Sequence, residues 1–455
     1  MSLKKQVSAH TLQMSVVLPQ RFRIHLHTET YIVPPALTSV RAQTLPIVAL
    51  GSGVTLAGVL NILRSSGIEV FAGCPPEDFV RHSRWYRPFP TALPNPNPSD
   101  LEALLDSSDI NSAVLLPCSD DWLRAVTTLH PSLAGRFPSS TSPACVNLLT
   151  DKWRFARLLE QFGIPRPRTR LISSREQCKA MPDFFFEGAI LKPLSSVDFA
   201  CRHGVKGYLV ETRRQAADLI DQLELPIMLQ EFIPGPPDSG YFLDGFRDRT
   251  GRIAALFGRR RLRMYPQKLG NSTLIESVPL HNLSGAIFPL EHLLEGISYR
   301  GVFSAEFKFD ERDRAFKLIE INARPWWYVE FASRCGVDVC TMAYRDALGL
   351  PVPATDSYQV GRRCVFAVND LRGWRGESRN QRSLWSFLAS WLSCDSAPFH
   401  WNDPKPALHY LRQTMAAIFE SGSHAKIPKK HKPQPQSEDR QTVATPRART
   451  ASIAK

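Results

Sequence analysis

Two strand-like segments with acids at matching positions constrain this chain more than any other feature of its sequence. Gly301–Asp310 and Ala315–Pro325 alternate apolar and polar residues on either side of a short polar stretch, which is typical of a β-hairpin. If the turn centres on Asp313, residues equidistant from it face each other, so Glu306 pairs with Glu320. Two carboxylates placed directly opposite each other repel. The pairing therefore predicts a cation between them.

The same face of the predicted hairpin carries further polar groups. Asn322 lies two residues from Glu320 and so projects from the same side of its strand. Two carboxylates and an amide oxygen suit a hydrated Mg²⁺ that also binds nucleotide phosphates. Arg324, two residues further on, is placed to reach a phosphoryl oxygen. The alternative is a solvent-facing hairpin with acids there by chance, since a slip of one residue in register would destroy the pairing.

Two upstream segments are weaker candidates for nucleotide contacts. Lys192 ends an apolar strand that begins at Ile190, a position where a lysine is more often solvated than functional. The stretch Gln230–Gly235 ends another strand in a turn, and Asp238 follows. An extended backbone followed by an acid can recognise an adenine edge and a ribose, but alone it is only a strand and a Pro-Gly turn.

The first patterned part of the chain predicts an α/β unit. Leu45–Leu50 is an apolar run, Gly51–Gly53 forms a turn, a helical pattern follows, and Gly67–Phe71 reads as a second strand. Val114–Asp120 predicts a strand whose carboxyl end lies in a polar loop, where open α/β sheets bind ligands. A dinucleotide site has little support, because the third glycine is not at the fingerprint spacing. A structural turn or a substrate-contacting loop fits the segment better.

The middle of the chain predicts an α+β unit. The predicted helices are Asp151–Glu160 and Gln215–Gln222, and the predicted strands are Gly188–Leu191, Gly207–Val210 and Ile227–Phe232. After Pro351 a helical segment is predicted at Leu384–Leu392, followed by a last helix that ends near Phe419.

Composition excludes several classes of protein. With 43% hydrophobic residues among 455 the chain can bury a large core. No apolar run is long enough to span a bilayer and no secretory signal pattern is present, which favours a cytoplasmic protein. Nine scattered cysteines indicate neither a disulfide framework nor a zinc site.

Charge does not point to a nucleic acid partner. Of the net charge of +13, nearly half lies in residues 421–455, where eight Lys or Arg stand against two acids. This tail is rich in Pro, Gln, Ser and Thr and is predicted to be disordered. Residues 1–45 show no sustained pattern and are predicted to be a poorly ordered extension.

The order of these residues resembles the ATP-grasp superfamily. Lys152, Lys192, Gln230–Gly235, Glu306 and Glu320–Arg324 occur in the order and approximate spacing of that superfamily. A closer similarity is to carboxylate-amine ligases related to D-aspartate ligase, in which a Gly-rich first turn, an Arg-Lys-x-Arg-x-x-Pro stretch and an Asp-Pro-x-Pro motif recur. The corresponding stretches here are Gly51–Gly53, Arg260–Pro266 and Asp403–Pro406.

The resemblance implies an α/β and α+β chain with a Rossmann-like preATP-grasp domain followed by a two-lobed ATP-grasp domain. The implied divisions are an extension at 1–45, the preATP-grasp domain at 46–140, the ATP-grasp domain at 141–355, a C-terminal helical segment at 356–420 and the disordered basic tail at 421–455.

The resemblance also implies roles for single residues. Lys152 and Lys192 would hold the phosphates of ATP. The segment formed by Gln230, Glu231, Phe232 and Ile233 would line the adenine, and Asp238 would bind the ribose. Glu306, Glu320 and Asn322 would carry Mg²⁺, for which Mn²⁺ could substitute. Arg324 and Arg263 would be catalytic. Arg261 and Arg263, together with Gly270–Thr273, would lie in a loop that closes over the phosphates.

The chain departs from the family pattern at two places. The loop Pro193–His203 lacks the usual run of glycines, which leaves its phosphate contacts open. Trp326 and Trp327 replace the commoner small residues after Arg324-Pro325, which makes them candidates for substrate selection.

The implied activity is an ATP-dependent ligase that forms an amide through an acyl phosphate and releases ADP and phosphate. Its substrates would be a small carboxylate and an amine, with amino acids as candidates. The alternative is a non-catalytic nucleotide-binding or interaction protein on the same fold. A dehydrogenase is the third option, and it requires that the protein binds NAD.

Overall fold

A computed structural model describes residues 45–93, 95–194, 199, 202–203, 205–376 and 383–424. The predicted N-terminal extension up to residue 44, the predicted tail from residue 425 onward and most of the loop after Pro193 lie outside the described residues. The strands are β1 Ile47–Leu50, β2 Val70–Gly73, β3 Val114–Pro117, β4 Thr169–Ile172, β5 Ala189–Pro193, β6 Tyr208–Val210, β7 Ile227–Glu231, β8 Gly240–Arg247, β9 Ile253–Tyr265, β10 Asn271–Ser277, β11 Gly301–Asp310, β12 Ala315–Asn322, β13 Arg363–Val365 and β14 Cys394–Ser396. The helices are α1 Gly53–Leu63, α2 Leu101–Asp106, α3 Asp120–Thr127, α4 Pro131–Arg136, α5 Pro143–Thr150, α6 Lys152–Gln161, α7 Arg175–Ala180, α8 Arg213–Ile220, α9 Ser284–Gly296, α10 Val329–Arg334, α11 Val339–Ala347, α12 Ala367–Gly376, α13 Leu384–Ala389 and α14 Lys405–His424.

The N-terminal part forms a parallel sheet in the order β2-β1-β3, and β1 is fully buried. The turn between β1 and α1 needs its first glycine, because a Cβ at Gly51 would lie 2.6 Å from the Cβ of Cys118. Gly53 has a φ of +63°, and its N–H donates to the carboxylate of Asp78 at 2.7 Å. The predicted βαβ unit is confirmed, although its second strand begins at Val70 rather than Gly67.

The middle of the chain forms a separate antiparallel sheet in the order β4-β7-β5-β6. Helices α7 and α8 cover one face with apolar side chains that include Cys178, Ala216 and Ile220. Lys192 and Gln230 alternate with the core residues Leu191 and Leu229, so they project from the opposite face. This second face carries the predicted nucleotide contacts.

A larger sheet has the order β12-β11-β8-β9-β10-β13-β14. Strands β13 and β14 come from the segment predicted to be helical, so that prediction is incomplete and the sheet crosses the predicted boundary at residue 355. Helix α14 reaches His424, which makes the first residues of the predicted disordered tail helical. The remaining domain boundaries stay predictions. No helix among the described residues is long and apolar enough to cross a membrane.

Candidate functional site

The β11–β12 hairpin pairs Glu306 with Glu320, which confirms the predicted pairing. Next to the turn, however, Asp310 pairs with Ala315, and this register would place Glu306 opposite Ile319. A bulge in β12 absorbs Ile319 and restores the carboxylate pair. Bulges commonly redirect side chains next to functional sites. The pairing was therefore predicted correctly from a turn position that the structure does not have.

Three oxygen-bearing side chains share one face of this hairpin. Asn322 pairs with Ser304, two positions from the Glu306–Glu320 pair, and all three predicted ligands are half-buried. Within the described part of the chain, no group of three or more His, Cys, Asp or Glu side chains could hold a metal. The amide oxygen of Asn322 is the third oxygen-bearing group on this face. This donor set fits a hard divalent cation that keeps open positions for water or phosphate.

Glu306 also has a cationic neighbour. Nη2 of Arg261 lies 2.8 Å from its Oε1. Burial raises the pKa of the Glu306 carboxyl, but Arg261 and more distant cations lower it by a larger amount. The pKa therefore lies below its usual value. Glu306 is thus held in its charged form, as a metal ligand must be.

Lys192 at the end of β5 reaches across to β7. Its Nζ donates to Oε1 of Gln230 at 2.8 Å, and Nε2 of Gln230 donates to Oγ1 of Thr169 at 3.1 Å. The buried amide of Gln230 therefore orients the lysine. Both ends of the Gln230 amide thus have protein partners, and the role of the segment from Gln230 to Ile233 in lining the adenine stays a prediction.

Lys152 and Lys192 lie within electrostatic range of each other and of the carboxylate pair. Burial and the charge of Lys152 lower the pKa of Lys192 to about 8, although Glu320 and Glu306 oppose this shift. Burial also lowers the pKa of Lys152, against the opposing charges of Glu320 and Asp120. The two cations, on α6 and β5, and the two carboxylates of the β11–β12 hairpin therefore lie near one another.

Lys206 belongs to the same cluster and was missed as a site residue. Its Nζ lies 2.5 Å from Oδ1 of Asn271, so it links the loop before β6 to the start of β10. Its charge acts on Lys192 and Glu306. The feature of the sequence that could have indicated Lys206 is the glycine that follows it. In the structure this glycine allows a close approach to β5, since a Cβ at Gly207 would lie 2.6 Å from the backbone oxygen of Leu191.

The segment after β7 has one backbone donor to spare. Ile233 is buried, and its N–H donates no hydrogen bond within the described ranges, whereas the N–H groups of Glu231 and Phe232 donate to Arg168 and Gly188. Buried backbone donors are rarely left without a partner. The N–H of Ile233 is therefore a backbone donor without a partner among the described residues.

A cleft of about 300 Å³ adjoins this segment, and Glu231, Phe232, Gly188, Leu209 and Lys268 line it. The Glu231 carboxylate accepts from the N–H of Arg168 at 3.1 Å and from Nη2 of Arg312 at 2.7 Å.

Asp238, the predicted ribose ligand, accepts from Nη2 of Arg260 at 2.8 Å. The side chains of Asp238 and Glu231 thus both have protein partners that a ligand would have to share or replace.

Arg324 joins the hairpin to the N-terminal sheet. Its Nε lies 2.7 Å from Oδ1 of Asp120, which begins α3 just after β3, and its Nη2 lies 3.3 Å from Oδ1 of Asn322. The carboxyl end of the parallel sheet therefore faces the predicted metal ligands. The loop after β3 and Arg324, which were both predicted to contact ligands, therefore lie next to each other.

Arg263 does not contact the carboxylate pair, and its predicted catalytic role stays a prediction. Its guanidinium contacts both oxygens of buried Asp370, at 3.0 and 2.6 Å, and Oγ of Ser390. Further along β9 than Arg261, it reaches α12 and the residue after α13 instead of the carboxylate pair. The arginine that contacts the pair is Arg261.

This contact gives Arg263 a structural role. Arg263→Gln would leave Asp370, which is 1% exposed, without its cation, and we expect a loss of about 3 kcal/mol in the free energy of unfolding. ATP affinity should stay within about twofold of the parent, because the Arg263 guanidinium is held by Asp370 and Ser390 and does not contact the carboxylate pair. Urea unfolding and calorimetry measure the two quantities. A large loss of ATP affinity without a loss of stability would restore Arg263 to the site.

Parts of this chain are similar to known proteins. Residues 149–237 match a family described as the RimK-like ATP-grasp domain. D-aspartate ligase from Enterococcus faecium is 24% identical over 251 residues, which are 51% of this chain and 58% of that protein. The C-terminal section of the carbamoyl phosphate synthase large chain from Methanopyrus kandleri is 22% identical over 223 residues, which are 47% of this chain and 40% of that protein. The chain thus spans about half the length of these curated relatives.

The fold is also found in a solved structure. The biotin carboxylase domain of 2-oxoglutarate carboxylase from Hydrogenobacter thermophilus, in complex with MgADP, ADP and bicarbonate, has a TM-score of 0.56 and 14% sequence identity. The match covers 70% of this chain and 74% of that one. At this identity the likeness concerns the fold alone, and it confirms the fold predicted from the sequence.

Proposed function

We propose, from the premise that this chain carries an ATP-grasp domain, that it is an ATP-dependent ligase joining a carboxylate to an amine. The observation that carries the proposal is the carboxylate pair Glu306–Glu320, with Asn322 on the same face and Lys152 and Lys192 within electrostatic range. A structural ion-pair network would not need two facing carboxylates. Phosphoryl transfer needs carboxylates that hold a metal ion and lysines that neutralise the phosphates, because it depends mainly on positioning and electrostatics.

We propose that the adenine of ATP lies against the segment after β7. The free N–H of Ile233 would donate to a ring nitrogen, and the cleft beside Phe232 would take the base. Asp238 would bind the ribose, and Glu231 would contribute mainly through its backbone. Gln230 would act indirectly by holding Lys192, whose ammonium group, together with that of Lys152, would neutralise the phosphates.

Glu306, Glu320 and Asn322 would hold Mg²⁺, and Mn²⁺ could replace it. When bound, the metal would offset negative charge on the phosphates. The relative from Hydrogenobacter thermophilus was solved with MgADP, which supports this choice. Arg324 would stabilise charge on the transferred phosphoryl group, with Asp120 holding its guanidinium in place.

In the proposed reaction a carboxylate oxygen attacks the γ-phosphorus and ADP leaves. The amine nitrogen then attacks the acyl carbon, phosphate leaves and the amine loses a proton, so that an amide is formed.

Amino acids are the proposed substrates, because one relative is a D-aspartate ligase. Trp326 is buried and Trp327 stacks on Phe366 at 5.2 Å, so both also support the packing beside the site.

We further propose a cytoplasmic location and no nucleic acid partner. A non-catalytic nucleotide-binding or interaction protein on the same fold is the second candidate. The complete set of Glu306, Glu320, Asn322 and Arg324 argues against it, because binding alone does not need two metal-binding carboxylates.

A phosphate-release screen tests the proposed function. Purified protein is supplied with MgATP, single amino acids or small dicarboxylates, and a second amino acid or ammonia as the amine. We expect ADP and phosphate to appear well above background only when one acid and one amine are both present. Binding of ATP without phosphate release across the whole screen would favour the non-catalytic alternative.

A further inference from the structure

The pair between Arg261 and Glu306 is shielded from water. The two side chains are 10% and 23% exposed, and the contact distance is 2.8 Å. Nε of Arg261 also donates to Oγ of Ser272 at 2.9 Å, and the guanidinium lies 5.3 Å from the ring centre of Phe242. The guanidinium is therefore fixed from several sides. A fixed, poorly solvated ion pair is stronger than a surface pair.

This guanidinium competes with a metal for the same carboxylate. A divalent cation between Glu306 and Glu320 would lie within a few ångströms of Arg261, and the two positive charges would repel each other. The guanidinium of Arg261 and the metal therefore compete for the carboxylate of Glu306.

Neighbouring arginines show that this competition is specific to one position. Along β9, Arg259 pairs with Asp244, Arg260 with Asp238 and Arg263 with Asp370. Among the four carboxylates paired along this strand, Glu306 is the one that faces a second carboxylate across a strand pair. Of the other three pairs, Arg260 contacts the predicted ribose ligand Asp238, and the remaining two are buried contacts within the fold.

We propose that Arg261 is the counter-ion of Glu306 before metal binds, and that metal binding releases its guanidinium to an anionic ligand. The inference rests on the proposed function because it takes Glu306 as a metal ligand. Arg261 is then a positioning residue that acts on the metal through Glu306. Metal and anion assist each other: the metal frees Arg261 for an anion, and an anion on Arg261 frees Glu306 for the metal. Such coupling is reciprocal.

The test measures Mn²⁺ binding without nucleotide, by the electron paramagnetic resonance signal of free Mn²⁺. In Arg261→Gln the metal no longer displaces a cation, so we expect Mn²⁺ to bind about tenfold more tightly than in the parent. Arg261→Lys keeps a cation with a shorter reach, and an affinity between parent and Arg261→Gln is expected. Arg363→Gln is the matched control, because it removes a pair of 2.9 Å to Glu276, which is 21% exposed; its Mn²⁺ affinity should equal that of the parent.

The outcomes separate the inference from the proposed function. Mn²⁺ binding that is equal or weaker in Arg261→Gln, or in Arg261→Lys if the first variant does not fold, overturns the inference alone. If folded parent and folded Arg261→Gln both fail to bind Mn²⁺, the metal site and the inference fall together. The double variant Arg261→Gln with Glu306→Gln should lose the gain in affinity, and a gain that persists would show that Glu306 is not the group for which the two cations compete.

Discussion

Glu320→Gln is expected to reduce ADP and phosphate formation about 100- to 1000-fold, because it removes a charge from the proposed metal site while keeping the shape of the side chain. The metal-free variant should be as stable as the parent or slightly more stable, since the opposed charges on Glu306 and Glu320 disappear. MgATP should raise its melting temperature less than that of the parent. Phosphate release and thermal unfolding measure these effects.

Glu276→Gln is the matched control for this prediction. Glu276 lies on β10 and pairs with Arg363 at 2.9 Å on the same large sheet, and it has no proposed contact with metal or nucleotide. Its phosphate release should stay close to that of the parent. Normal turnover in Glu320→Gln, or equal stabilisation of variant and parent by MgATP, would remove Glu320 from the site.

Lys192→Met is expected to weaken ATP binding about 10- to 100-fold, because a charge-assisted contact to phosphate is lost from a partly buried position. Lys179→Met is the control, since Lys179 is an exposed lysine of the same lobe at the end of α7. It should bind ATP like the parent. Calorimetry with unchanged affinity for Lys192→Met would exclude Lys192 from the phosphate site.

The pKa of Lys192 adds a pH dependence. Because that pKa is lowered to about 8 from 10.5, the ammonium form that binds phosphate is lost as the pH rises through about 8, and ATP affinity should fall there. Lys192→Met should lose most of this dependence. In the nucleotide-free protein the unfolded chain holds the proton more tightly, so Lys192 should make the free energy of unfolding rise with pH between about 8 and 10.5. Parent affinity that does not change over this range would contradict the assignment.

The features predicted best were those that depend on the local sequence pattern, such as the faces of the strands. Alternation along β12 was sufficient to place Glu320 and Asn322 on one face, because successive side chains of a strand point to opposite faces. The bulge at Ile319 could not be predicted, because nothing in the local pattern shows which residue a strand will leave unpaired. The correct carboxylate pair resulted from a wrong turn centre together with this bulge.

Features that depend on distant parts of the chain were predicted less well. Arg261 and Arg263 are two residues apart on β9, but the β9–β10 pairing is irregular between them, and Arg263 contacts Asp370 instead of the carboxylate pair. Lys206 was missed because its partner Asn271 lies on another sheet. Strands β13 and β14 are three residues each, which is too short for alternation to be recognised. They are paired by distant parts of the chain, since β13 lies against β10 and β14 lies against β13.

The central claim is that the carboxylates of β11 and β12 hold the metal that accompanies ATP. Crystals grown with Mn²⁺ and a non-hydrolysable ATP analogue test it most directly through the anomalous scattering of manganese. The account predicts an anomalous peak bonded to oxygens of Glu306, Glu320 and Asn322 and to the phosphates, with the Arg261 guanidinium no longer on Glu306. A bound nucleotide whose manganese lies away from these three side chains would contradict it.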